Sequence, residues 1–191
     1  EDVRWLTGFT GRTSFVLVNR STASAALFVD GRYYDRALSE TEHVGATVDV
    51  RLLKSGESMS SAIASVAQAN DVGVDLDHIM ASRFQALADV LTIVPEPTAM
   101  NALRRVKEEW EIELMAQAAQ IADNALASVL ADGLIGRTEK QVRNRLDSVM
   151  RENGADDVSF ATIVATGANG ARPHHEPSET RIESGHGVVI D

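Results

Sequence analysis

The chain has 191 residues, of which 44% are hydrophobic and 24% charged, the ordinary balance of a soluble globular protein. No stretch approaches the ~20 continuous apolar residues that a membrane span needs, so we expect no membrane partner. The formal net charge of -10 argues against nucleic acid as a partner, because nucleic-acid binding rests on Lys and Arg meeting phosphates.

The cysteine content and the first residues of the chain bear on metal binding and location. Cysteine is absent, so a bound metal ion would need carboxylate or imidazole ligands. Residues 1–4 (EDVR) show no basic start followed by an apolar run. We therefore expect no signal peptide and a cytoplasmic protein.

Short strands and helices alternate in the first half of the chain. Compact or alternating apolar runs between turn residues predict strands at residues 15–18, 26–29, 48–52, 72–74 and 92–94. Helical patterns lie between them at residues 32–41, 58–69 and 81–91. This alternation predicts an α/β layer with a mostly parallel sheet covered by helices.

The segment Pro95-Glu96-Pro97 marks the clearest change along the chain. Two prolines cannot sit in the interior of a sheet, and long helical patterns follow them. We place the boundary near residues 95–104. The predicted domains are residues 1–97 and residues 98–191.

A long helix opens the second half and should end near Gly133. Its apolar residues step by three or four positions, which predicts one continuous stripe along the helix. The residues of this stripe are Trp110, Leu114, Ala118, Ile121, Ala125 and Val129.

The next helix begins at a capping box. Thr138 is the expected N-cap, Gln141 stands three residues later, and Asn153-Gly154 supplies the carboxyl-terminal stop. The apolar residues of its buried face are Val142, Leu146 and Val149. Residues 160–166 and 187–191 are then predicted as strands.

Residues 173–177 (PHHEP) form the one cluster whose residue types suggest a functional site. Adjacent side chains on a strand point to opposite sides, so at most one of His174 and His175 should face a site. An imidazole can bind a metal, shuttle a proton or donate a hydrogen bond near neutral pH. A polar loop surface is the more common explanation of such a segment, and these residues alone leave both open.

Asp191 follows the apolar run 188–190 at the end of a predicted strand. A strand that enters the core would carry this carboxylate with it, and buried Asp is rare unless it is paired or bound to metal. The alternative is a turn at the strand end. A single carboxylate cannot make a metal site.

Segments spread over the whole chain resemble one family, the creatinase-like M24 metallopeptidases that include aminopeptidase P and prolidase. Each segment alone is weak evidence for the family, but their occurrence together in this order is specific to it. They are residues 4–11 (RWLTGFTG), 28–33 (FVDGRY), 103–108 (LRRVKE), 136–139 (GRTE), 159–170 (SFATIVATGANG), 173–177 (PHHEP) and 187–191 (GVVID).

The resemblance implies a fold and a set of site residues. Residues 1–97 would form a creatinase-type amino-terminal α/β domain, and residues 98–191 the first portion of a pita-bread catalytic fold. In this family two divalent metal ions are held by two Asp, one His and two Glu, and Asp191 matches the first Asp ligand. Manganese is favoured over cobalt and zinc. His174 matches a histidine that contacts the substrate or the tetrahedral intermediate as a hydrogen-bond donor, and His175 would line the substrate-binding rim.

The resemblance also implies an activity, which is metal-dependent hydrolysis of peptide bonds next to proline in short peptides. The enzyme would be an Xaa-Pro dipeptidase or aminopeptidase and a homodimer. The first helix and strand of the amino-terminal domain would be missing, and the remaining ligands would follow Asp191. We therefore expect this chain alone to be an incomplete and inactive portion. His186 stands where the family usually has Asp, which we interpret as a loop variation.

Two alternatives stay open. A creatinase-type amidinohydrolase resembles the same two-domain family but uses no metal, and there the histidine matching His174 serves as acid and base. A non-catalytic member of the family could instead keep the fold as a binding module. The sequence that follows Asp191 would separate these alternatives from a metallopeptidase.

Overall fold

The computed structural model describes residues 2–67, 71–96 and 99–191. The chain divides into two compact units, Glu1–Val106 and Lys107–Asp191. Pro97 and the last two residues of the helix predicted at 58–69 lie outside the described residues. The domain boundary between residues 97 and 98 stays a prediction.

The first unit alternates strands with helices, as the sequence predicts. Its strands are β1 Ser14–Asn19, β2 Ser24–Val29, β3 Asp49–Leu52, β4 Asp71–Val74 and β5 Thr92–Pro95. Its helices are α1 Asp2–Thr7, α2 Tyr34–His43, α3 Met59–Val66, α4 Ala81–Ala88 and α5 Ala99–Arg105. The α/β class is confirmed, and α1 and α5 are additions to the predicted elements.

The strands of the first unit pair in two small sheets within the described residues. In the three-stranded sheet β1 pairs with β2 antiparallel and β2 pairs with β3 parallel, while β4 and β5 form a parallel pair. The prediction of a mostly parallel sheet misses the β1–β2 hairpin. Residues 20–23 join these two strands, and a connection this short is compatible only with antiparallel pairing.

Strand β2 is the centre of the first unit because both of its faces are buried. Phe28 packs on one side against a cluster from α3 and α4 that includes Ala62, Ile63 and Leu87. Leu27 and Val29 point to the other side and pack against Phe9 and Ala37. Successive residues of a strand face opposite ways, so one short run supplies two cores.

The second unit is built on two helices and a strand pair. Its elements are α6 Glu109–Ala131, α7 Glu139–Glu152, β6 Val164–Thr166, a 3-10 helix at Gly167–Ala171 and β7 Val188–Ile190. Helix α6 ends before Gly133, which has φ +79°, as predicted. Strand β6 is shorter than the predicted 160–166, and Phe160 is exposed. No helix among residues 2–67, 71–96 and 99–191 combines the length and hydropathy needed to cross a membrane.

The core of the second unit lies between α6, α7 and the strand pair. The buried residues of this cluster are Ala125, Val129, Val142, Leu146, Val149, Val164 and Ile182. The predicted buried face of α7 is confirmed. The apolar stripe of α6 is buried at its carboxyl-terminal end, whereas Trp110 and Leu114 are more than half exposed.

Candidate active site

Strands β6 and β7 set the backbone of the candidate site. They pair antiparallel with Ala165 opposite Val189. Ile163 and Asp191 continue the ladder, because each donates its N–H to the carbonyl of the other at 2.7 and 3.0 Å. The position of Asp191 is therefore fixed by β6.

Asp191 is exposed, so the described residues do not show the buried carboxylate that was one of the two alternatives for this position. The side chains of β7 alternate, and Asp191 lies on the same face as the exposed Val189, whereas Val188 and Ile190 pack against the core. The apolar run 188–190 thus predicts the strand correctly but does not predict which face the following residue occupies.

The segment between the 3-10 helix and residue 178 carries both candidate histidines. His174 is exposed and has φ +55°, one of two non-glycine residues with positive φ in the described part of the chain. Such a conformation costs a side-chain-bearing residue on the order of 1–3 kcal/mol, and it is retained where the surroundings fix it. The backbone at His174 is therefore held in place by its neighbours.

A cavity of about 240 Å³ brings two of the predicted site residues together. Its lining residues are Ile163, Ala165, Gly170, Ala171, Arg172, Pro173, His174, Val189 and Asp191. His174 and Asp191 thus share one cavity, although they lie 17 positions apart in the chain. The imidazole of His174, the guanidinium of Arg172 and the carboxylate of Asp191 thus lie beside an apolar wall, so the cavity offers hydrogen-bond donors and one anion.

The described residues do not by themselves fit a divalent metal ion. Within residues 2–67, 71–96 and 99–191, no group of three or more His, Asp or Glu side chains is arranged to hold one. Asp191 contributes a single carboxylate, a hard oxygen ligand of the kind that manganese accepts. We therefore derive no chemical step through a metal from these residues.

Beside the cavity lies a buried carboxylate, that of Glu139 at the first position of α7. Its side chain is completely buried. Five hydrogen bonds reach its two oxygens. Oε1 accepts from the Thr166 N–H at 2.8 Å and Asn169 Nδ2 at 3.0 Å, and Oε2 accepts from His175 Nε2 at 2.8 Å, the Ser178 N–H at 2.8 Å and Ser178 Oγ at 2.7 Å.

The start of α7 explains how this contact set forms. Thr138 and Gln141 make the predicted capping box, each side chain accepting from the other's backbone N–H. The N–H groups of Glu139 and Lys140, which lack partners inside the helix, donate to the carbonyls of Thr180 and Ser178. The helix start therefore binds residues 178–180 through its backbone and through the Glu139 side chain.

The electrostatics of Glu139 follow from this set of donors. Burial raises the pKa of the Glu139 carboxyl, but the hydrogen bonds from His175, Asn169, Ser178 and Thr166 outweigh burial and hold that pKa far below its ordinary value of 4.5. Glu139 is thus an ionised acceptor. Because a carboxylate only accepts, Nε2 of His175 carries the hydrogen in this contact.

His175 lies apart from His174 and Asp191. Its side chain is 9% exposed and contacts Glu139, and it is not among the residues that line the cavity. The two adjacent histidines therefore face different surroundings, although His174 lies in a turn and not on a strand. The substrate-binding role given to His175 stays a prediction.

Sequence reasoning did not identify Glu139 as a site residue. The capping box marks the helix start, and an acidic residue in the first helical turn is normally explained by the helix dipole. The partners that bury Glu139 lie 27 to 39 positions later in the chain. A signal did exist in the run of donors at Thr166, Asn169, His175 and Ser178, but the sequence does not show that they converge.

A second concavity, a groove of about 560 Å³, runs along α7. Its lining residues are Asn144, Asp147, Ser148, Arg151 and Glu152. Two of them pair with each other, Ser148 Oγ donating to Glu152 at 2.7 Å, on an exposed helix face. None of the predicted site residues lies there, so we assign the candidate site to the smaller cavity.

Comparison with known proteins gives matches along both halves of the chain. Residues 1–106 match the Creatinase/Prolidase N-terminal domain, and residues 113–191 match Metallopeptidase family M24. The uncharacterized peptidase YqhT of Bacillus subtilis is 30% identical over all of this chain and 53% of its own length.

Solved structures of peptidases are also similar to this chain over all or nearly all of its length. The Xaa-Pro dipeptidase from Bacillus anthracis is 29% identical with a TM-score of 0.87, and all of this chain matches 53% of that one. The X-Pro aminopeptidase from Thermotoga maritima is 28% identical with a TM-score of 0.85, and 98% of this chain matches 53% of that one. The predicted fold is confirmed, and the chain spans about half the length of these relatives.

Proposed function

The chain belongs to metallopeptidase family M24, with a creatinase/prolidase amino-terminal domain in its first half, and from this premise we propose that the intact protein hydrolyses peptide bonds next to proline in short peptides. Similarity to an Xaa-Pro dipeptidase and to an X-Pro aminopeptidase supports the proposal. Because this chain spans about half of each relative, the activity is proposed for the intact protein.

One observation carries the proposal within this chain. His174 and Asp191, each proposed from the sequence for a different task, line the same cavity. The imidazole of His174 is exposed and available to donate a hydrogen bond to a substrate carbonyl. We propose His174 as the group that stabilises negative charge on that oxygen, and Asp191 as a metal ligand.

The family is one of metallopeptidases, whose activity implies divalent metal ions. For this protein we propose two ions, with manganese favoured over cobalt and zinc because carboxylate oxygen suits it. We also propose a cytoplasmic homodimer that acts on short proline-containing peptides and binds neither nucleic acid nor membrane. The formal charge of -10 supports the absence of a nucleic-acid partner.

Peptide hydrolysis by the intact protein tests the proposal. The protein is assayed with an Xaa-Pro dipeptide, an Xaa-Pro-Yaa tripeptide and matched peptides in which alanine replaces proline. The assays are made with manganese, cobalt or zinc and with a chelator. We expect metal-dependent cleavage of the proline peptides alone. Equal cleavage of the alanine peptides would contradict the proposed specificity.

The same assay separates the remaining alternatives. Cleavage of the dipeptide alone indicates a dipeptidase, and release of the first residue from the tripeptide indicates an aminopeptidase. Creatine is included as a substrate. Creatine hydrolysis that persists in chelator would replace the proposal with an amidinohydrolase, and no hydrolysis of any substrate would favour a binding module.

A further inference from the structure

We propose that Glu139 and His175 form a positioning pair, which holds the segment from Thr166 to Ser178 and directs His174 into the cavity that it shares with Asp191. The pair does not include His174 or Asp191, the groups proposed to contact substrate and metal, and it gives His175 a positioning role in place of the substrate-binding role predicted from the sequence. Its expected effect on turnover rests on the proposed function, whereas its effect on the position of His174 does not.

The first argument is that one carboxylate ties both ends of this segment. Oε1 of Glu139 binds the N–H of Thr166, at the end of β6, and Oε2 binds the N–H of Ser178. Asn169 and His175 donate to the same carboxylate from between these two points. Both ends of the segment that carries His174 are thus bound to a single side chain from a different element, α7.

The second argument is the opposed placement of the two histidines. The His175 imidazole is nearly buried on Glu139, whereas His174 is exposed and lines the cavity. His174 lies in a turn and shares a peptide bond with His175, so fixing His175 on Glu139 restricts the backbone at His174 and the direction that its side chain can take. The positive φ of His174 needs such support, because that conformation is unfavourable for an unsupported histidine.

The third argument is that Glu139 is unavailable for another task. Its side chain has no exposed surface, and its two oxygens already accept five hydrogen bonds. A group in that state cannot reach a substrate. Glu139 therefore acts through the segment it holds.

Two substitutions at His175 test the pair in the intact protein. His175→Leu keeps a comparable bulk but removes the donor, whereas His175→Gln keeps an N–H donor at a similar distance from the backbone. We expect His175→Leu to lower kcat roughly 10- to 100-fold, as displacement of a reacting group by about 1 Å does. We expect His175→Gln to restore most of that loss, with KM and bound metal little changed in both.

His78→Leu is the matched control. His78 also contacts a carboxylate, that of Asp75 at 3.0 Å, but its side chain is 74% exposed and lies in the first unit. The same substitution there should leave kcat within about twofold of the original, because an exposed ion pair contributes little. A loss of kcat in His78→Leu as large as in His175→Leu would show that the effect is not specific to the contact between Glu139 and His175.

A structural measurement decides the positioning role without any assay of activity. NMR is used to compare the ring signals of His174 and the exchange rates of the Thr166 and Ser178 amides in the original protein and the three variants. We expect shifted His174 signals and faster exchange of both amides in His175→Leu, and neither in His175→Gln or His78→Leu. Unchanged His174 signals in His175→Leu would overturn the inference.

The two proposals fail separately. If the original protein cleaves no proline peptide with any tested ion, the proposed function fails, and the NMR comparison still decides the positioning pair. If His175→Leu does not fold, Ser178→Ala replaces it. This variant removes the Oγ donor at 2.7 Å but keeps the backbone N–H, and it should move the His174 signals in the same direction. Unmoved signals would again overturn the inference.

Discussion

Charged side chains are used differently in the two units of the chain. In the first unit Glu40 pairs with Arg36 at 2.8 Å at the surface, with the two side chains 26% and 52% exposed. In the second unit Glu139 is completely buried and binds His175, also at 2.8 Å. Equal distances therefore describe contacts that contribute differently to stability, because the first pair is open to solvent and the second is nearly buried.

The two units differ in whether a charged side chain is part of the buried core. The first unit is organised by apolar packing on both faces of β2, and the Arg36–Glu40 ion pair lies at its surface. The second unit places a charge among its buried groups and surrounds it with donors from three later segments.

The largest difference is expected between Glu139→Ala and Glu40→Ala. Glu139→Ala leaves five donors without their acceptor and should lower the free energy of unfolding by about 3–5 kcal/mol. Glu40→Ala removes a partly exposed side chain that pairs with Arg36 and accepts from the N–H and Oγ1 of Thr10, and this loss at the surface should cost about 1–2 kcal/mol. Urea unfolding of the intact protein, with hydrogen exchange to separate the units, gives both values. Equal losses would contradict the contrast.

The contribution of Glu139 should depend on pH with a defined sign. Its pKa is lower in the folded protein than the ordinary 4.5, so the unfolded chain binds more protons at this residue. The stabilisation is therefore present above about pH 4.5 and is lost progressively as the pH falls below it. Among the described residues that donate to Glu139, His175 alone carries a titratable side chain.

Unfolding of the original protein and Glu139→Gln between pH 7 and pH 3 tests this sign. The difference between their free energies of unfolding should shrink as the pH falls. A difference that grows toward acid would mean that Glu139 is stabilised in its protonated form.

A smaller difference is expected between two helix caps. Thr138 is buried and takes part in a reciprocal capping box, whereas Ser58 is an exposed N-cap that accepts from the Ser61 N–H. Thr138→Ala should cost about 1–2 kcal/mol and Ser58→Ala about 0.5 kcal/mol. Thermal unfolding of the two variants provides the comparison, and a larger loss for Ser58→Ala would reverse it.

The smallest effect is expected at Thr166. Its buried Oγ1 has no hydrogen-bond partner among the described residues, while its backbone N–H donates to Oε1 of Glu139. Thr166→Val keeps the N–H and should change stability by less than about 0.5 kcal/mol. Thr162→Val is the matched control and should cost about 1 kcal/mol, because Thr162 Oγ1 donates to Asp147 at 2.7 Å. Equal costs in urea unfolding would contradict this account.

Much of the fold could be predicted because its signals are local. The hydrophobic pattern gave the strands of the first unit and the buried face of α7, and the Thr138 to Gln141 spacing gave the start of that helix. The stripe on α6 was predicted as a face, but a periodic pattern cannot say what lies against it. Trp110 and Leu114 on that stripe are exposed.

The candidate site was less accessible to sequence reasoning because its contacts are not local. Residues 173–177 and Asp191 were found through their composition and their resemblance to a family, and the structure brings His174 and Asp191 into one cavity. The Glu139 contacts join residues up to 39 positions apart, so they arise only when α7 and the segment after β6 pack together. The partner of His175 could not be predicted from its neighbours.

In the proposed function His174 acts on the substrate and not on the metal. His174→Ala in the intact protein tests it through two quantities measured on one sample, the rate of cleavage of an Xaa-Pro peptide and the amount of bound metal. We expect a fall in kcat of roughly 100- to 1,000-fold with bound metal unchanged, as loss of a donor to a developing oxyanion produces. Parallel loss of metal and activity, or an unchanged rate, would contradict it.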